Sequence, residues 1–444
     1  MNSSAATNQP PRPFQRLIAR AARLLARGVY RSVEVDNAEP GWSHHPSLIV
    51  ANHPTGFSDP ALLFGLLERN PRFLAKATLW KTPGLGWFLD RVGAIPVHRA
   101  QDGSTTGNAE AFAAAFAALQ DGDSIAMFPE GKAQEPPHLA PIKTGAARIA
   151  LGAHEAGVTG IRIVPIGIHY EDKAAVRSRA YVNVGDVLEL DAELAAVLGD
   201  FPRSAESHAS VERLTDEIGR RLAASAPDYA TDAEAAAFGV AAEVALRDAD
   251  AVEVRYSDRQ RLAASVGSSA ESNRTALVEE VDRYRTALAA AGIEDVDLVR
   301  SMRPASSVAW GRLSLLLLML PLAVAGVVLN IIPYLTLMFT MRYRHDSMTP
   351  STIRMVAAVL SFLAMWLGWA AVAWSLWNWR MGLVALVAAP LYGAVALYVL
   401  DHLTEWWRVR RGRRSVASLS PETTAALLAE RSALAASTRQ AASQ

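Results

Sequence analysis

Asn52-His53-Pro54-Thr55-Gly56-Phe57-Ser58-Asp59-Pro60 brings a histidine and an aspartate into one short loop. A histidine there can take a proton near neutral pH, and a carboxylate one turn away can hold its imidazole in a single tautomer. That is the equipment of a general base. Gly56 and the two prolines point to a fixed, tight backbone. The plain alternative is a local turn with a capping aspartate. Three later stretches carry related chemistry. Gly93-Ala94-Ile95-Pro96-Val97-His98-Arg99 ends an apolar run with a cation. Phe128-Pro129-Glu130-Gly131-Lys132 ends another with a carboxylate, a glycine and a second cation. Val164-Pro165-Ile166-Gly167 lies inside a further apolar run.

Positioning these residues calls for a sheet. Residues 48–50, 72–76, 94–97, 124–128, 161–168 and 180–184 read as buried strands. Residues 60–67, 108–119 and 144–155 read as helices, with Asp121-Gly122 turning the chain into the fourth strand. Strand and helix alternating in this way imply a sheet covered by helices, with reactive loops at the strand ends.

The chain has 444 residues, 44 basic and 44 acidic side chains, ten histidines and no cysteine. The absence of cysteine excludes disulfides, thiolate metal sites and every cysteine nucleophile. The balanced charge argues against nucleic acid as a partner, and His44-His45 has no ligand-spaced partner, so no metal is expected. The first residues are polar and do not read as a secretory signal.

Residues 12–31 place Phe14, Leu17, Ile18, Leu24, Leu25 and Val29 at helical spacing beside Arg16, Arg20, Arg23, Arg27 and Arg31. Such a helix suits either an anionic bilayer surface or packing on its own domain with a solvated basic face. Residues 191–300 are polar and helical, with one stripe at Val211, Leu214, Ile218 and Leu222 and another at Leu277, Val281, Tyr284 and Leu288. Three apolar stretches, 313–339, 355–376 and 382–400, contain no charged residue and are each long enough to cross a bilayer. The tryptophans in and near them fit interface or helix packing better than a ligand cage. From Arg408 the chain turns arginine-rich and then Ser/Ala-rich, which reads as a disordered tail with one weak helix.

The order and spacing of the four blocks resemble the glycerolipid acyltransferase superfamily, the glycerol-3-phosphate and lysophosphatidate acyltransferases. The resemblance is strong from Leu17 to Leu190 and looser through Pro321 to Tyr334. The commonest first block has four residues between His and Asp, whereas here five separate His53 from Asp59. The longer gap after Asn-His-Pro resembles the branch of fungal-type glycerol-3-phosphate or dihydroxyacetone-phosphate acyltransferases and their bacterial relatives. The run Pro141-Ile142-Lys143-Thr144-Gly145-Ala146-Ala147-Arg148 matches that branch as well. Many members follow Phe-Pro-Glu-Gly with Thr-Arg; this chain has Lys132-Ala133, so the charge falls to Lys132 or Lys143.

The resemblance implies an α/β acyltransferase domain over 42–190, a mixed sheet with flanking helices. It is preceded by a polar tail and basic helix (1–41) and followed by a helical region (191–300). A C-terminal helical membrane domain (301–407) and the tail (408–444) complete the chain. The implied catalytic residues are His53 as base and Asp59 as its orienter. Arg99 would grip the acceptor phosphate, Glu130 and Gly131 would shape the acceptor pocket, and Lys132 would add charge. Backbone amides near Gly56 or Gly131 are candidates for the oxyanion.

No cofactor is implied beyond an acyl-CoA or acyl carrier protein thioester as co-substrate. The expected activity is O-acylation of a glycerol-3-phosphate-type acceptor in phospholipid biosynthesis. The alternatives are 1-acylglycerol-3-phosphate (lysophosphatidate) acylation and an inactive membrane scaffold. The expected setting is a bacterial inner membrane with the catalytic half in the cytoplasm, among membrane lipids. The positive-inside rule then favours a re-entrant 313–339, interrupted by Pro321, Asn330 and Pro333, over three simple crossings.

Overall fold

The apolar runs that frame the histidine loop pair into one sheet. The computed structural model describes residues 12–37, 45–67, 70–98, 108–133, 137–173, 175, 177–248, 252–302, 308–342 and 349–444. These fall into two units, Met1–Ala230 and Thr231–Gln444.

In the first unit the strands are β1 (Ser32–Asp36), β2 (Ser47–Ala51), β3 (Arg72–Lys76), β4 (Ile95–Val97), β5 (Ser124–Met127), β6 (Arg162–Tyr170), β7 (Arg179–Val184) and β8 (Leu188–Glu189). Their order is β1-β7-β6-β2-β5-β3-β4, with β8 beside the start of β6. From β6 through β4 every pairing is parallel, and β7 runs antiparallel to β6. The carboxyl ends of β2, β4, β5 and β6 therefore share one edge of the sheet. That edge receives the loops that begin with Asn52, His98 and Phe128.

The helices of this unit are α1 (Arg12–Val29), α2 (Ser58–Leu66), α3 (Leu85–Val92), α4 (Asn108–Gln120), α5 (Gly145–Glu155), α6 (Leu190–Leu198) and α7 (His208–Ser225). Strand β2 is buried throughout and splits its side chains between two cores, as the two-residue period of a strand requires. Leu48 and Val50 join α4, α5, α6 and α7 on one face. Ile49 and Ala51 join α2 and the end of α1 on the other.

Two boundaries differ from the sequence reading. The stripe Val211, Leu214 and Ile218 on α7 packs into the core of the sheet, so α6 and α7 belong to the first unit and not to a separate helical region beginning at 191. The second unit comprises α8 (Asp232–Leu246), α9 (Tyr256–Gly267), α10 (Glu271–Ala291), α11 (Asp295–Ser301), α12 (Val308–Leu329), α13 (Ile331–Arg342), α14 (Thr349–Leu376), α15 (Trp379–Ala417) and α16 (Pro421–Ala442).

The second correction concerns the tail. Helix α15 runs unbroken through the arginine cluster, and residues 421–442 form the full helix α16 rather than a disordered segment. Ser420 caps α16, and Leu427, Leu434 and Ala435 are buried where it packs on α8, α9 and α10. Arg431 donates to Asp295 and to the carbonyls of Val244 and Arg247. Asp295 also accepts from Arg247 and Tyr284, so one carboxylate joins four helices.

Two described helices, α14 and α15, carry stretches long and apolar enough to cross a membrane. The 313–339 run is broken, as its composition suggests, but at Asn330; Pro321 lies within α12 without ending it. Asn330 donates to Gly326 O and Ala389 O and accepts from Trp366 Nε1, while Trp369 Nε1 donates to Leu329 O. These tryptophans thus supply polar partners at the break, which an apolar surrounding would otherwise leave unsatisfied. Gly326 lets α12 approach α15 closely, since a methyl there would lie 2.1 Å from Tyr392 O.

The packing of α16 yields a direct test. Arg431→Ala removes a buried charge-assisted contact, a loss of roughly 1.5–3 kcal/mol. Hydrogen exchange across residues 421–442 should then quicken about tenfold or more while the exchange of β2 and β6 stays unchanged.

Candidate active site

The loop after β2 turns sharply into α2. Gly56 takes a φ of +96°, a conformation glycine adopts freely, and this turn absorbs the additional residue between His53 and Asp59. Asp59 falls in the first turn of α2 and is fully buried. Its Oδ2 lies 2.7 Å from His53 Nδ1 and accepts from the amides of Thr55 at 3.0 Å and Gly56 at 3.1 Å. Its Oδ1 accepts from Thr55 Oγ1 at 2.5 Å and from the Tyr170 hydroxyl at 2.9 Å. Four of these partners can only donate or do donate, so the carboxylate acts as acceptor throughout. The fifth contact then has His53 Nδ1–H donating, which leaves Nε2 with its lone pair. The His53 side chain keeps 18% of its surface exposed.

The imidazole stacks on Phe128 at 4.0 Å between ring centroids and 12° between planes. Phe73 stacks behind Phe128. Glu130 reaches the loop from the β5 side. Its Oε1 accepts from the amide of His53 at 2.8 Å and its Oε2 from the amide of Ala140 at 3.3 Å. Burial pushes the Glu130 carboxyl above its ordinary range, and the two amide donors oppose that rise. Glu130 is therefore built into the wall, where it fixes the backbone of His53.

Asn52 ties the loop to β6 from the other side. Its amide donates to Ile168 O at 3.0 Å and its carbonyl accepts from Ile168 N at 2.6 Å. Behind Asp59, Tyr170 stacks on Tyr30, the residue that follows α1, at 5.5 Å. Burial pushes the Tyr30 phenol up to about 12 and carries Tyr170 well above its ordinary value, helped there by the charge of Asp59. Both phenols remain protonated donors at any working pH.

Of the residues singled out by sequence, His53, Asp59 and Glu130 come together. Gly131 adjoins them at a φ of +75°, and a methyl added to it would lie 2.5 Å from Lys143 Nζ. That brings Lys143 against the Glu130–Gly131 turn, while Lys132 is exposed on it. Arg99 lies outside the described residues. The amides of Gly56 and Gly131 already donate, to Asp59 and to Phe128 O, so neither is open to an oxyanion in this arrangement. Thr55, Tyr170, Tyr30 and Asn52 escaped the sequence reading. Asn52 and Thr55 sit inside the motif and so carried a signal; Tyr170 carried none beyond ending the strand that holds Val164-Pro165.

Residues 32–169 match the family model described as Acyltransferase. Glycerol-3-phosphate O-acyltransferase 2 of Saccharomyces cerevisiae is 34% identical over 28% of this chain and 17% of its own length. The chloroplastic 1-acyl-sn-glycerol-3-phosphate acyltransferase BAT2 of Brassica napus is 29% identical over 33% of this chain and 39% of its own. The chain thus spans well under half the length of either relative. The crystal structure of the 1-acyl-sn-glycerophosphate acyltransferase of Thermotoga maritima aligns over 47% of this chain and 76% of its own, at 17% identity and a TM-score of 0.35. A likeness at that level fixes no chemistry by itself. The family match covers β1 through nearly all of β6, hence His53, Asp59 and Glu130. Through residues 32–169 the chain carries a domain that matches the Acyltransferase family model and is similar to glycerol-3-phosphate and 1-acyl-sn-glycerol-3-phosphate acyltransferases.

Proposed function

We propose that this protein is a membrane-bound O-acyltransferase that moves a fatty acyl group from an acyl thioester to a hydroxyl of a phosphorylated glycerol acceptor. The observation that carries the reading is the Asp59 carboxylate, saturated with donors, one of which is His53 Nδ1–H. His53 Nε2 takes the proton of the acceptor hydroxyl, and the oxygen attacks the thioester carbonyl. Asp59 stabilises the imidazolium that forms. The tetrahedral intermediate collapses with cleavage of the carbon–sulfur bond, and the imidazolium returns its proton to the departing thiolate. A thiolate leaves readily, and the chain holds neither a cysteine nor a Gly-x-Ser-x-Gly elbow, so the reaction needs no covalent acyl-enzyme. Arg99, Lys132 and Lys143 are the cations assigned to the acceptor phosphate, with Glu130 and Gly131 shaping the turn beside it.

Glycerol-3-phosphate is the leading acceptor, because the yeast relatives bearing that name show the higher identity. The plant relatives, named for 1-acyl-sn-glycerol-3-phosphate, support lysophosphatidate as the second reading. Acyl-CoA or acyl carrier protein is the donor. We place α14 and α15 across a bacterial inner membrane with α12 and α13 as a re-entrant arm broken at Asn330. The acyltransferase domain then works on the cytoplasmic side, where both donors are made.

Purified protein offered labelled acyl thioesters with glycerol-3-phosphate, dihydroxyacetone phosphate and lysophosphatidate in parallel tests the reading. Ester product is expected with at least one acceptor, and three unacylated acceptors with both donors would refute it. His53→Ala should lower kcat by ~10²–10⁴ with the fold retained. Near-normal turnover in the folded variant would remove His53 from the base role. Tyr170→Phe takes one donor from Asp59, so kcat should fall about tenfold with KM unchanged, a charged hydrogen bond being worth roughly 1.5–3 kcal/mol.

A further inference from the structure

Tyr170 has a single hydroxyl proton, and Asp59 Oδ1 takes it at 2.9 Å. The oxygen of Tyr170 is then left as an acceptor only. It is hydrogen-bonded to the hydroxyl of Tyr30, whose own oxygen meets the hydroxyl of Ser58. Counting protons fixes the direction of each bond. Tyr30 donates to Tyr170, and Ser58 donates to Tyr30, so three hydroxyl protons in a row point toward Asp59. Ser58, Tyr30 and Asp59 are all buried. The rings of Tyr30 and Tyr170 stack at 5.5 Å and 26° between planes, which keeps their hydroxyls abreast.

Tyr30 is held more firmly than a residue at the end of a helix requires. Arg177, in the connection from β6 to β7, adopts a φ of +65°, a conformation that residues bearing a side chain rarely take. Its guanidinium lies under the end of α1, where Nη1 donates to Arg27 O at 2.8 Å and to Tyr30 O at 3.0 Å. A cation there matches the negative end of the helix. The backbone joins in: Arg177 N donates to Val29 O at 2.7 Å, and Arg31 N donates to Ser178 O at 2.9 Å. Backbone strain kept at one residue while it pins another is the pattern of a constrained site. The phenol that Arg177 pins in this way is the one that reaches Tyr170.

We propose that Tyr30 is a positioning residue for acyl transfer: by donating to Tyr170 it fixes the hydroxyl that holds Asp59, and through Asp59 the imidazole of His53. This role rests on the acyltransferase reading, whichever acceptor is acylated. A phenol that receives no hydrogen bond can turn its proton about the C–O bond. A donor arriving at its oxygen settles that proton and polarises the hydroxyl, which strengthens the last bond of the row. Tyr30 therefore acts at a distance from the reacting atoms, and its route to them runs through Tyr170 alone.

Tyr30→Phe keeps the stacked ring and removes the hydroxyl. In the full-length protein kcat should fall about threefold with both KM values unchanged, since one bond of a polarised row is lost. In the Tyr170→Phe background the same substitution should have no further effect, because no hydroxyl remains for Tyr30 to serve. Tyr181→Phe, which takes a buried hydroxyl from β7 beside His169, should leave kcat as it was. A second readout needs no turnover. In protein with isotope-labelled histidine, the Nδ1–H resonance of His53 is identified by its loss in His53→Gln. It should move in Tyr30→Phe, stay in place in Tyr181→Phe, and move no further when Tyr30→Phe is added to Tyr170→Phe. Should Tyr30→Phe fail to fold, Ser58→Ala removes the first donor of the row and should give a smaller effect that also vanishes in the Tyr170→Phe background. Losses that multiply in the double variant, a raised KM in place of a lowered kcat, or an unmoved His53 resonance overturn the assignment. Normal turnover in His53→Ala, or no acylated acceptor, refutes the acyltransferase reading instead, and the resonance still decides whether Tyr30 reaches His53.

Discussion

A carboxylate with no exposed surface must be surrounded by donors, and the geometry of the first unit follows from meeting that need at Asp59. The donors come from three directions: the tight turn provides the amides of Thr55 and Gly56, the motif histidine provides Nδ1–H, and the far end of β6 provides the Tyr170 hydroxyl. Each demands something of the chain. The turn demands a glycine at positive φ, α2 must begin where it does so that Asp59 lies in its first turn, and β6 must run parallel to β2 so that Tyr170 arrives at the same edge as His53. Breaking any of these leaves a buried charge short of partners, which costs far more than the contact itself.

Much of this was legible in the sequence, and the reasons are specific. The strands of the inner sheet are unbroken apolar runs bounded by glycine, proline or charge, and their limits agree with β2 to β7 within one or two residues. Strand β1, Ser-Val-Glu-Val-Asp, was missed because its polar alternation is that of an edge strand and its partner β7 lies far along the chain. The stripe on α7 was visible, but which surface receives it depends on the sheet, and so the unit boundary fell forty residues early. Helix α16 was hidden by its composition. Serine and alanine provide little apolar signal, and its stability comes from Arg431 reaching Asp295, a pairing across 136 positions of sequence. His53 and Asp59 were legible since both lie in one loop, whereas Tyr170 contacts Asp59 from 111 positions away.

The second unit solves a related problem in an apolar setting. Where α12 breaks at Asn330, the freed backbone and the amide itself are matched by two indole N–H groups, by the carbonyl of Gly326 one turn back in α12 and by that of Ala389 on the facing α15. A polar residue in such surroundings is tolerated because every one of these bonds is made. Its register is narrow: a methyl on Gly393 would come within 3.1 Å of Asn330 Nδ2.

Asn52 carries a consequence for how the chain folds. Its side chain imitates a peptide group and makes two bonds to Ile168, continuing the β2–β6 ladder one step past Ala51. These two strands meet only after more than a hundred residues have been organised between them, so their pairing is a non-local event in which a slip by one position is the natural error. A slipped ladder would bury an unpaired amide and turn His53 to the wrong face of the sheet. The mismatch penalises the misfolded register at the same moment that it disarms it. Chains that complete the ladder correctly are therefore the chains in which His53 is aimed, and quality of folding and geometry of the site are read from a single pair of hydrogen bonds.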